Sequence, residues 1–158
     1  MTTHQQRRKN PLNIHALLQV SILFFGCWAS NGWAGALHDA AETGNLSKIE
    51  QLATAGADVN EVDSRGIWPL LAAVTDGNTA TVALLLKLKA NPNQTDQYQY
   101  SALHEAASLG HHEVVELLID AKADINARDI NGITPLGYAM RSPSQEAVAL
   151  LQGVGGIQ

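Results

Sequence analysis

Cysteine, aromatic residues and basic residues are all scarce in this 158-residue chain. Cys27 is the only cysteine, which excludes an internal disulfide. Phe, Trp and Tyr make up 5% of the residues, so a core must be built from Leu, Val, Ile and Ala. Beyond residue 34, seven Lys or Arg stand against fifteen Asp or Glu, a formal charge of −8. Such an acidic surface disfavours nucleic acid and anionic lipid, because both bind cationic footprints.

Sequence patterns for catalysis are also missing. The chain has no Gly-rich phosphate loop, no G-x-S-x-G nucleophile elbow and no cysteine placed as a nucleophile. The adjacent His111 and His112 cannot both face one helical metal site, and no Cys or third His has zinc-like spacing to them. The sequence therefore predicts a protein that is not an enzyme, with no cofactor, no metal and no evident small-molecule substrate.

The first 34 residues have the order of a secretory signal peptide. The basic cluster at 7–9 precedes residues 12–28, which contain no Asp, Glu, Lys or Arg. Small residues follow, and cleavage after Ala34 satisfies the small-x-small rule together with Gly32. Cleavage after Ala36 fits the same rule. The segment predicts export, with a bacterial periplasm or secretion as the natural destination.

Other interpretations of this segment stay open. Residues 12–28 are an alternative uncleaved membrane anchor, although they are short for a span of about 20 apolar residues. Gly26–Cys27 resembles the end of a bacterial lipobox, so a lipid on Cys27 is a second alternative. A twin-arginine signal at 7–8 lacks the apolar residue expected after it. A eukaryotic secretory route would make Asn45 and Asn93 possible glycan acceptors.

A constant 33-residue interval runs through the rest of the chain. It separates successive residues in four sets: Leu37, Leu70, Leu103 and Leu136; Asp63, Asp96 and Asp129; Gly44, Gly77 and Gly110; and Asn60, Asn93 and Asn126. A period of this length is the sequence mark of a helix-turn-helix-loop solenoid. A short helical pair cannot bury its apolar side chains by itself, so we expect neighbouring units to pack against one another.

Four local motifs agree in phase with this period. They are Thr134-Pro135-Leu136, the run Ala-Leu-His-Glu-Ala-Ala at 102–107, the run Gly-His-His-Glu-Val-Val-Glu-Leu-Leu at 110–118, and Gly-Ala-Asp-Val-Asn at 56–60. Over residues 36–156 the chain resembles the ankyrin-repeat family. The resemblance implies an all-α solenoid of about four units: an N-terminal capping repeat at 35–62, repeats at 63–95 and 96–128, and a C-terminal capping repeat with a tail at 129–158.

The resemblance assigns a role to two histidines, and the residues themselves predict further local roles. His38 and His104 are expected to hydrogen-bond the loops between repeats, and the aspartates that open the hairpins are expected to accept local backbone hydrogen bonds. Helices are expected at 37–43, 46–54 and 145–151, with Gly110 as a left-handed helix end and a frayed tail after residue 152.

Several residues depart from the family pattern, among them Leu71, which replaces the expected His. Trp68 replaces Thr, and either packs internally or stands on the surface for a partner. Gln99 replaces the glycine found at Gly66 and Gly132, which implies a different turn or local strain.

Family members commonly bind partners with the concave face made by hairpin tips and first helices. Carried over by register, the predicted partner-binding residues are Arg65, Ile67, Trp68, Tyr98, Tyr100, Leu109, Ile133 and Arg141. Large aromatic residues dominate binding energy at interfaces. We therefore predict an exported, non-catalytic protein–protein interaction module whose partner has a basic or mixed surface. A metal-dependent or enzymatic envelope protein and a host-directed bacterial effector are the alternative functions.

Overall fold

The structure of the protein is a computed structural model in which residues 30–157 are described. Their helices are α1 (Ser30–Glu42), α2 (Leu46–Thr54), α3 (Pro69–Thr75), α4 (Thr79–Lys87), α5 (Ala102–Leu109), α6 (His112–Asp120), α7 (Pro135–Ala139) and α8 (Gln145–Gly153). No helix within this range is long and apolar enough to cross a membrane. The predicted anchor at 12–28, the lipid site at Cys27 and most of the predicted signal peptide lie outside the described residues.

The helices form two layers. Helices α3, α5 and α7 pack side by side in one layer, while α2, α4, α6 and α8 pack in a second. The four leucines that recur at the 33-residue interval, Leu37, Leu70, Leu103 and Leu136, are all buried. The all-α solenoid predicted from the sequence period is therefore confirmed for residues 30–157.

Side chains and glycines set the helix ends. Asn45, Asn78 and Ser144 cap α2, α4 and α8 by accepting a hydrogen bond from a backbone N–H three residues later. Gly110 ends α5 with a left-handed φ of 77°, as predicted. Helix α2 has its predicted bounds. Helix α1 instead begins at Ser30, before its predicted start at residue 37.

The recurring asparagines join consecutive units. Each one accepts a hydrogen bond at Oδ1 from a backbone N–H of the next unit, and the pairs are Asn60 with Asn91 at 2.7 Å, Asn93 with Asp124 at 2.7 Å and Asn126 with Ile157 at 2.9 Å. A loop amide is satisfied at every junction in this way. The 33-residue recurrence of Asn thus has a direct physical cause, because each unit presents the same amide to its predecessor.

The C-terminal tail continues this pattern. Asn126 Nδ2 donates to the carbonyl of Gly155 at 3.4 Å, just as Asn93 Nδ2 donates to Lys122 one unit earlier at 3.1 Å. The Thr134 hydroxyl donates to the carbonyl of Ile157. The prediction of a frayed tail is wrong for residues 155–157, since these hydrogen bonds hold the tail where the loop of a further unit would lie.

Three hairpins, at 63–67, 96–100 and 129–133, connect the units. In each one, the first aspartate accepts two backbone N–H bonds at Oδ1. The donors are Arg65 and Ile67 for Asp63, Tyr98 and Tyr100 for Asp96, and Asn131 and Ile133 for Asp129. The predicted local role of these aspartates is confirmed. Their carboxylates build the turns.

The middle hairpin keeps the same turn without the usual glycine. Gln99 has φ 58°, close to the 79° of Gly66 and the 76° of Gly132. Of the two alternatives that the sequence left open, the structure has local strain and not a different turn. A side chain in this left-handed region costs roughly 1–2 kcal/mol.

Replacing Gln99 with glycine should therefore stabilise the protein. Relief of the strained φ exceeds the added flexibility of the unfolded chain, which costs about 0.5–1 kcal/mol, so we expect a net gain of about 0.5–1 kcal/mol. Urea denaturation followed by circular dichroism measures it. Gln97→Gly is the matched control, since Gln97 is an exposed residue of the same hairpin and does not have a positive φ. A gain from Gln97→Gly equal to that from Gln99→Gly would contradict the assignment of strain to Gln99.

Candidate protein-binding face

The predicted partner-binding residues fall into three groups by exposure. We call the surface made by the three hairpins and by α1, α3, α5 and α7 the hairpin face. Arg65, Tyr98, Leu109 and Arg141 are exposed on it; Ile67, Tyr100 and Ile133 are half-buried; Trp68 is fully buried. Seven of the eight predicted residues therefore have side chains that are at least partly exposed to solvent.

The surface alternative for Trp68 is wrong. Trp68 precedes α3 and is 0% exposed. Ser101 and Thr134 hold the same place in the next two units and are also buried, so the register alone could have shown that this position faces inward. Burying an indole ring removes a large apolar area from water. Its Nε1 has no hydrogen-bond partner among the described residues.

Tyr100 belongs to an aromatic cluster with His104 and Tyr138. Its ring stacks on His104 with centroids 5.3 Å apart, and it meets Tyr138 edge to face at 5.3 Å. The Tyr100 hydroxyl donates to Glu105 Oε2 at 3.0 Å. Burial raises the pKa of Tyr100 well above its ordinary value, and the charge of Glu105 adds to that rise. The Tyr100 hydroxyl therefore stays protonated and donates to Glu105. The Tyr100 ring packs on His104 and Tyr138 within the protein.

Tyr138 is a structural residue that sequence reasoning missed. Its hydroxyl donates to Asp129 Oδ2 at 2.7 Å, and that hydrogen bond is the main cause of a raised Tyr138 pKa. Burial raises the pKa of Asp129, but the hydrogen bonds from Tyr138 and from the turn outweigh it and lower the pKa overall. The guanidinium of Arg141 lies 6.0 Å from the Tyr138 ring centre. The available signal was its register, since Tyr138 is 33 residues after Glu105.

His104 links its unit to the next one, as predicted. Its Nε2 lies 3.2 Å from the carbonyl oxygens of both Ala127 and Ile133, and its Nδ1 lies 2.8 Å from Ser101 Oγ. His38, two repeats earlier, also links its unit to the next one, with Nε2 2.6 Å from the carbonyl oxygen of Ile67. Burial lowers the pKa of His104, although hydrogen bonds to the two carbonyls act in the opposite direction. The neutral imidazole is therefore the form that the fold favours.

The free energy of unfolding should decrease as the pH is lowered, because of His104. Its folded pKa lies below the ordinary 6.5, so the unfolded chain takes up the proton first and stability declines as pH drops below that value. Around the ring stand Tyr100 and Tyr138, with Asp129 and Asp124 acting through their charge. We expect the free energy of unfolding of the wild type to decline as the pH falls from about 7 to below the ordinary His pKa of 6.5.

The control for this decline is His104→Gln. This substitution should lower the free energy of unfolding by about 1–3 kcal/mol near neutral pH, because the buried polar partners of His104 lose hydrogen bonds. This variant has no titrating group at the position, so the gap between the two stability curves should narrow as the pH falls. Thermal melts of both proteins over this range test the expectation. A constant gap would assign the pH dependence to other groups.

A groove lies where the first two hairpins meet α1, α3 and α5. Its volume is about 440 Å³, and its lining is Glu42, Arg65, Ile67, Leu71, Ala72, Thr75, Asp76, Tyr100 and Glu105. Arg65 is held at the rim, with Nη2 2.7 Å from Glu42 Oε1 and Nε 2.7 Å from Asp63 Oδ2. Arg65 therefore neutralises acidic side chains of its own chain, and these contacts raise its pKa above the ordinary value.

A second feature is an apolar pair at the hairpin tips. Tyr98 is 55% exposed and Ile130 is 63% exposed. The two residues are adjacent, because the Ile130 N–H donates to the Tyr98 carbonyl at 2.9 Å. We call Tyr98 and Ile130 the fingertip pair. Register places both residues on the predicted concave face, but only Tyr98 is among the eight predicted partner-binding residues. The isoleucine at a turn position occupied by Ser64 and Gln97 in the preceding units was a signal for including Ile130 as well.

Among residues 30–157, no three His, Cys, Asp or Glu side chains converge as metal ligands. The face offers exposed apolar groups, carboxylates and fixed hydrogen-bond donors.

Comparison with known families agrees with this architecture. A family model described as ankyrin repeats (3 copies) matches residues 37–129 and 93–156. A search of curated proteins gives no match. Ankyrin repeats are protein–protein interaction modules and are generally non-catalytic, which indicates a protein partner. Because the matched segments span well over half of the sequence, the chain belongs to the ankyrin-repeat family.

Proposed function

We propose that this protein is an exported, non-catalytic module that binds a protein partner through its hairpin face. The observation that carries the proposal is the exposed side chain of Tyr98 on a hydrogen-bonded backbone. More than half of this residue is exposed, while its N–H donates to Asp96 Oδ1 at 2.8 Å and its carbonyl accepts from Ile130 at 2.9 Å. An aromatic side chain on an immobilised backbone loses little entropy on binding.

Two further exposed residues of the hairpin face extend the proposed contact surface. Leu109 is 43% exposed at the end of α5, and Arg141 is exposed beyond α7. Apolar anchors ringed by polar groups are the usual anatomy of a protein interface. The excess of acidic residues favours a partner with a basic or mixed surface.

The binding test needs variants that spare the fold. Tyr100→Ala is unsuitable, because Tyr100 packs on His104 and Tyr138. The double variant Tyr98→Ala/Ile130→Ala removes the fingertip pair, whose side chains are mostly exposed. Glu113→Ala/Glu116→Ala is the matched control, with two exposed residues on α6 in the other helix layer.

A photo-crosslinking amino acid at position 98 should capture a specific partner in producing cells, and the same group at position 116 should not. Recovery of that partner should fall about 30-fold or more with the fingertip variant, as for loss of an interface hot spot, and stay unchanged with the control. Equal capture from both positions, or equal recovery by both variants, would remove the hairpin face from the function.

Export rests on the order of basic, apolar and small residues in the first 34 positions. Fractionation of a producing strain, with the mature N-terminus read by mass spectrometry, tests it. We expect the protein outside the cytoplasm with a new N-terminus at residue 35 or 37. An intact Met1 on cytoplasmic protein would contradict export while leaving the binding proposal in place.

A further inference from the structure

The groove between the first two hairpins exists because the second repeat departs from the pattern of its neighbours. Ala72 takes the place that Asp39, Glu105 and Tyr138 fill in the other units, so the floor is recessed there. Leu71 takes the place of His38 and His104 and leaves a half-buried apolar side chain on that floor. We call this recess, floored by Ile67, Leu71 and Tyr100 and rimmed by Glu42, Asp76 and Glu105, the acidic groove.

Two carboxylates of the acidic groove lack a cation of their own. Within residues 30–157, the ion-pair contacts join Arg65 to Glu42 and Asp63, and His112 to Glu113. Neither Asp76 nor Glu105 is among them. Arg65 therefore does not neutralise the negative charge of the groove. Its guanidinium already contacts the carboxylates of Glu42 and Asp63.

Glu105 is also oriented. Its Oε2 accepts from the Tyr100 hydroxyl at 3.0 Å, and its Oε1 lies 3.3 Å from the Thr75 hydroxyl. An ionised carboxylate has about four lone-pair sites, so each oxygen can accept a further hydrogen bond. Holding a carboxylate in place beforehand lowers the entropy cost of binding a donor.

This combination selects one kind of ligand group. An anion is repelled by three carboxylates facing one arginine. A purely apolar side chain would cover Glu105 and Asp76 without compensating the lost hydration. A long aliphatic stem that ends in a cation satisfies both surfaces, since the stem lies on Leu71 and Ile67 and the charged end reaches the carboxylates.

We propose that the acidic groove binds one lysine or arginine side chain of a partner protein. The inference rests on the proposed function, because it places the basic residue of the partner on the same face as the fingertip pair. Tyr98 and Tyr100 lie on one hairpin, so the partner segment presents a basic residue to the groove and an apolar residue to the tip. The mature charge of −8 beyond residue 34 steers such a segment toward the protein.

A library of random peptides displayed on phage, selected against the full-length protein, gives an unbiased test. We expect enriched peptides to carry Lys or Arg together with an apolar residue. Synthetic versions are then measured by calorimetry against wild type and Glu105→Gln, which keeps an oxygen to accept the Tyr100 hydroxyl. Binding to Glu105→Gln should be about 10-fold weaker, as for loss of a charge-assisted hydrogen bond. Glu116→Gln, on the other helix layer, should bind like wild type.

Changes in the peptide separate the contributing groups. Replacing its Lys by norleucine, or its Arg by citrulline, should weaken binding to wild type more than binding to Glu105→Gln, in which Asp76 is the remaining carboxylate without a cation. Whether Lys or Arg peptides dominate the selection identifies the cation. Enriched peptides without a basic residue, or equal affinity for wild type and Glu105→Gln, would overturn the proposal.

The selection also distinguishes failure of the groove from failure of the proposed function. Peptides weakened by Tyr98→Ala/Ile130→Ala but not by Glu105→Gln would remove the groove and keep the hairpin face. Peptides weakened by neither variant would remove both.

Discussion

Replacing Trp68 with alanine should lower the free energy of unfolding by about 3–5 kcal/mol, the range for truncating a buried Trp or Phe. The side chain is 0% exposed and belongs to the buried core of residues 30–157. Its neighbours Pro69 and Leu70 are buried too, so the start of α3 cannot collapse into the space left behind. Urea denaturation followed by circular dichroism measures the loss.

Trp68→Phe separates packing from polarity. Phenylalanine keeps most of the buried aromatic area and removes Nε1, a donor without a partner among the described residues. Removing an unsatisfied buried donor offsets part of the lost contact, so we expect a cost below about 1.5 kcal/mol. If Trp68→Ala left stability unchanged and weakened partner binding instead, Trp68 would be a surface residue and the packing account would be wrong.

The architecture of residues 30–157 was predictable because repetition turns one local pattern into several matching observations. Leu103 alone fits many helices, but four leucines in one register fit only stacked units. The same holds for Asn93, whose side chain binds the backbone of the next unit at Asp124. Each junction reuses one geometry, so the spacing of residue types reveals a contact between distant parts of the chain.

The binding face was less predictable, because register gives a position and not the neighbours of a side chain. Tyr100 was predicted as a contact residue, yet its ring is engaged by Tyr138, which comes from the next unit. Register placed Ile130 on the face but it was not among the eight predicted binding residues, although it is more exposed than Tyr98. The acidic groove arises where Ala72 is smaller than its counterparts. Such differences between units depend on pairs of side chains about 30 residues apart.

Leu118→Ala should destabilise the protein by about 2–5 kcal/mol. Leu118 is 0% exposed on α6, which packs between α4 and α8, so the cavity weakens two interfaces of the second layer at once. In a repeat protein, stability is a sum of unit terms and nearest-neighbour interfaces, and an inner unit contributes to two of those interfaces. Against a total stability of about 5–15 kcal/mol, the loss is large.

Leu109→Ala is the matched control for this change. It deletes the same atoms from a leucine that is 43% exposed at the end of α5, so we expect a loss of less than about 1 kcal/mol. At this chain length, the loss at Leu118 corresponds to a Tm decrease of about 4–20 °C in a calorimetric scan. Equal melting temperatures for the two variants would mean that α6 is not enclosed by its neighbours. The stacked arrangement requires the two leucines to differ, because only Leu118 fills space between units.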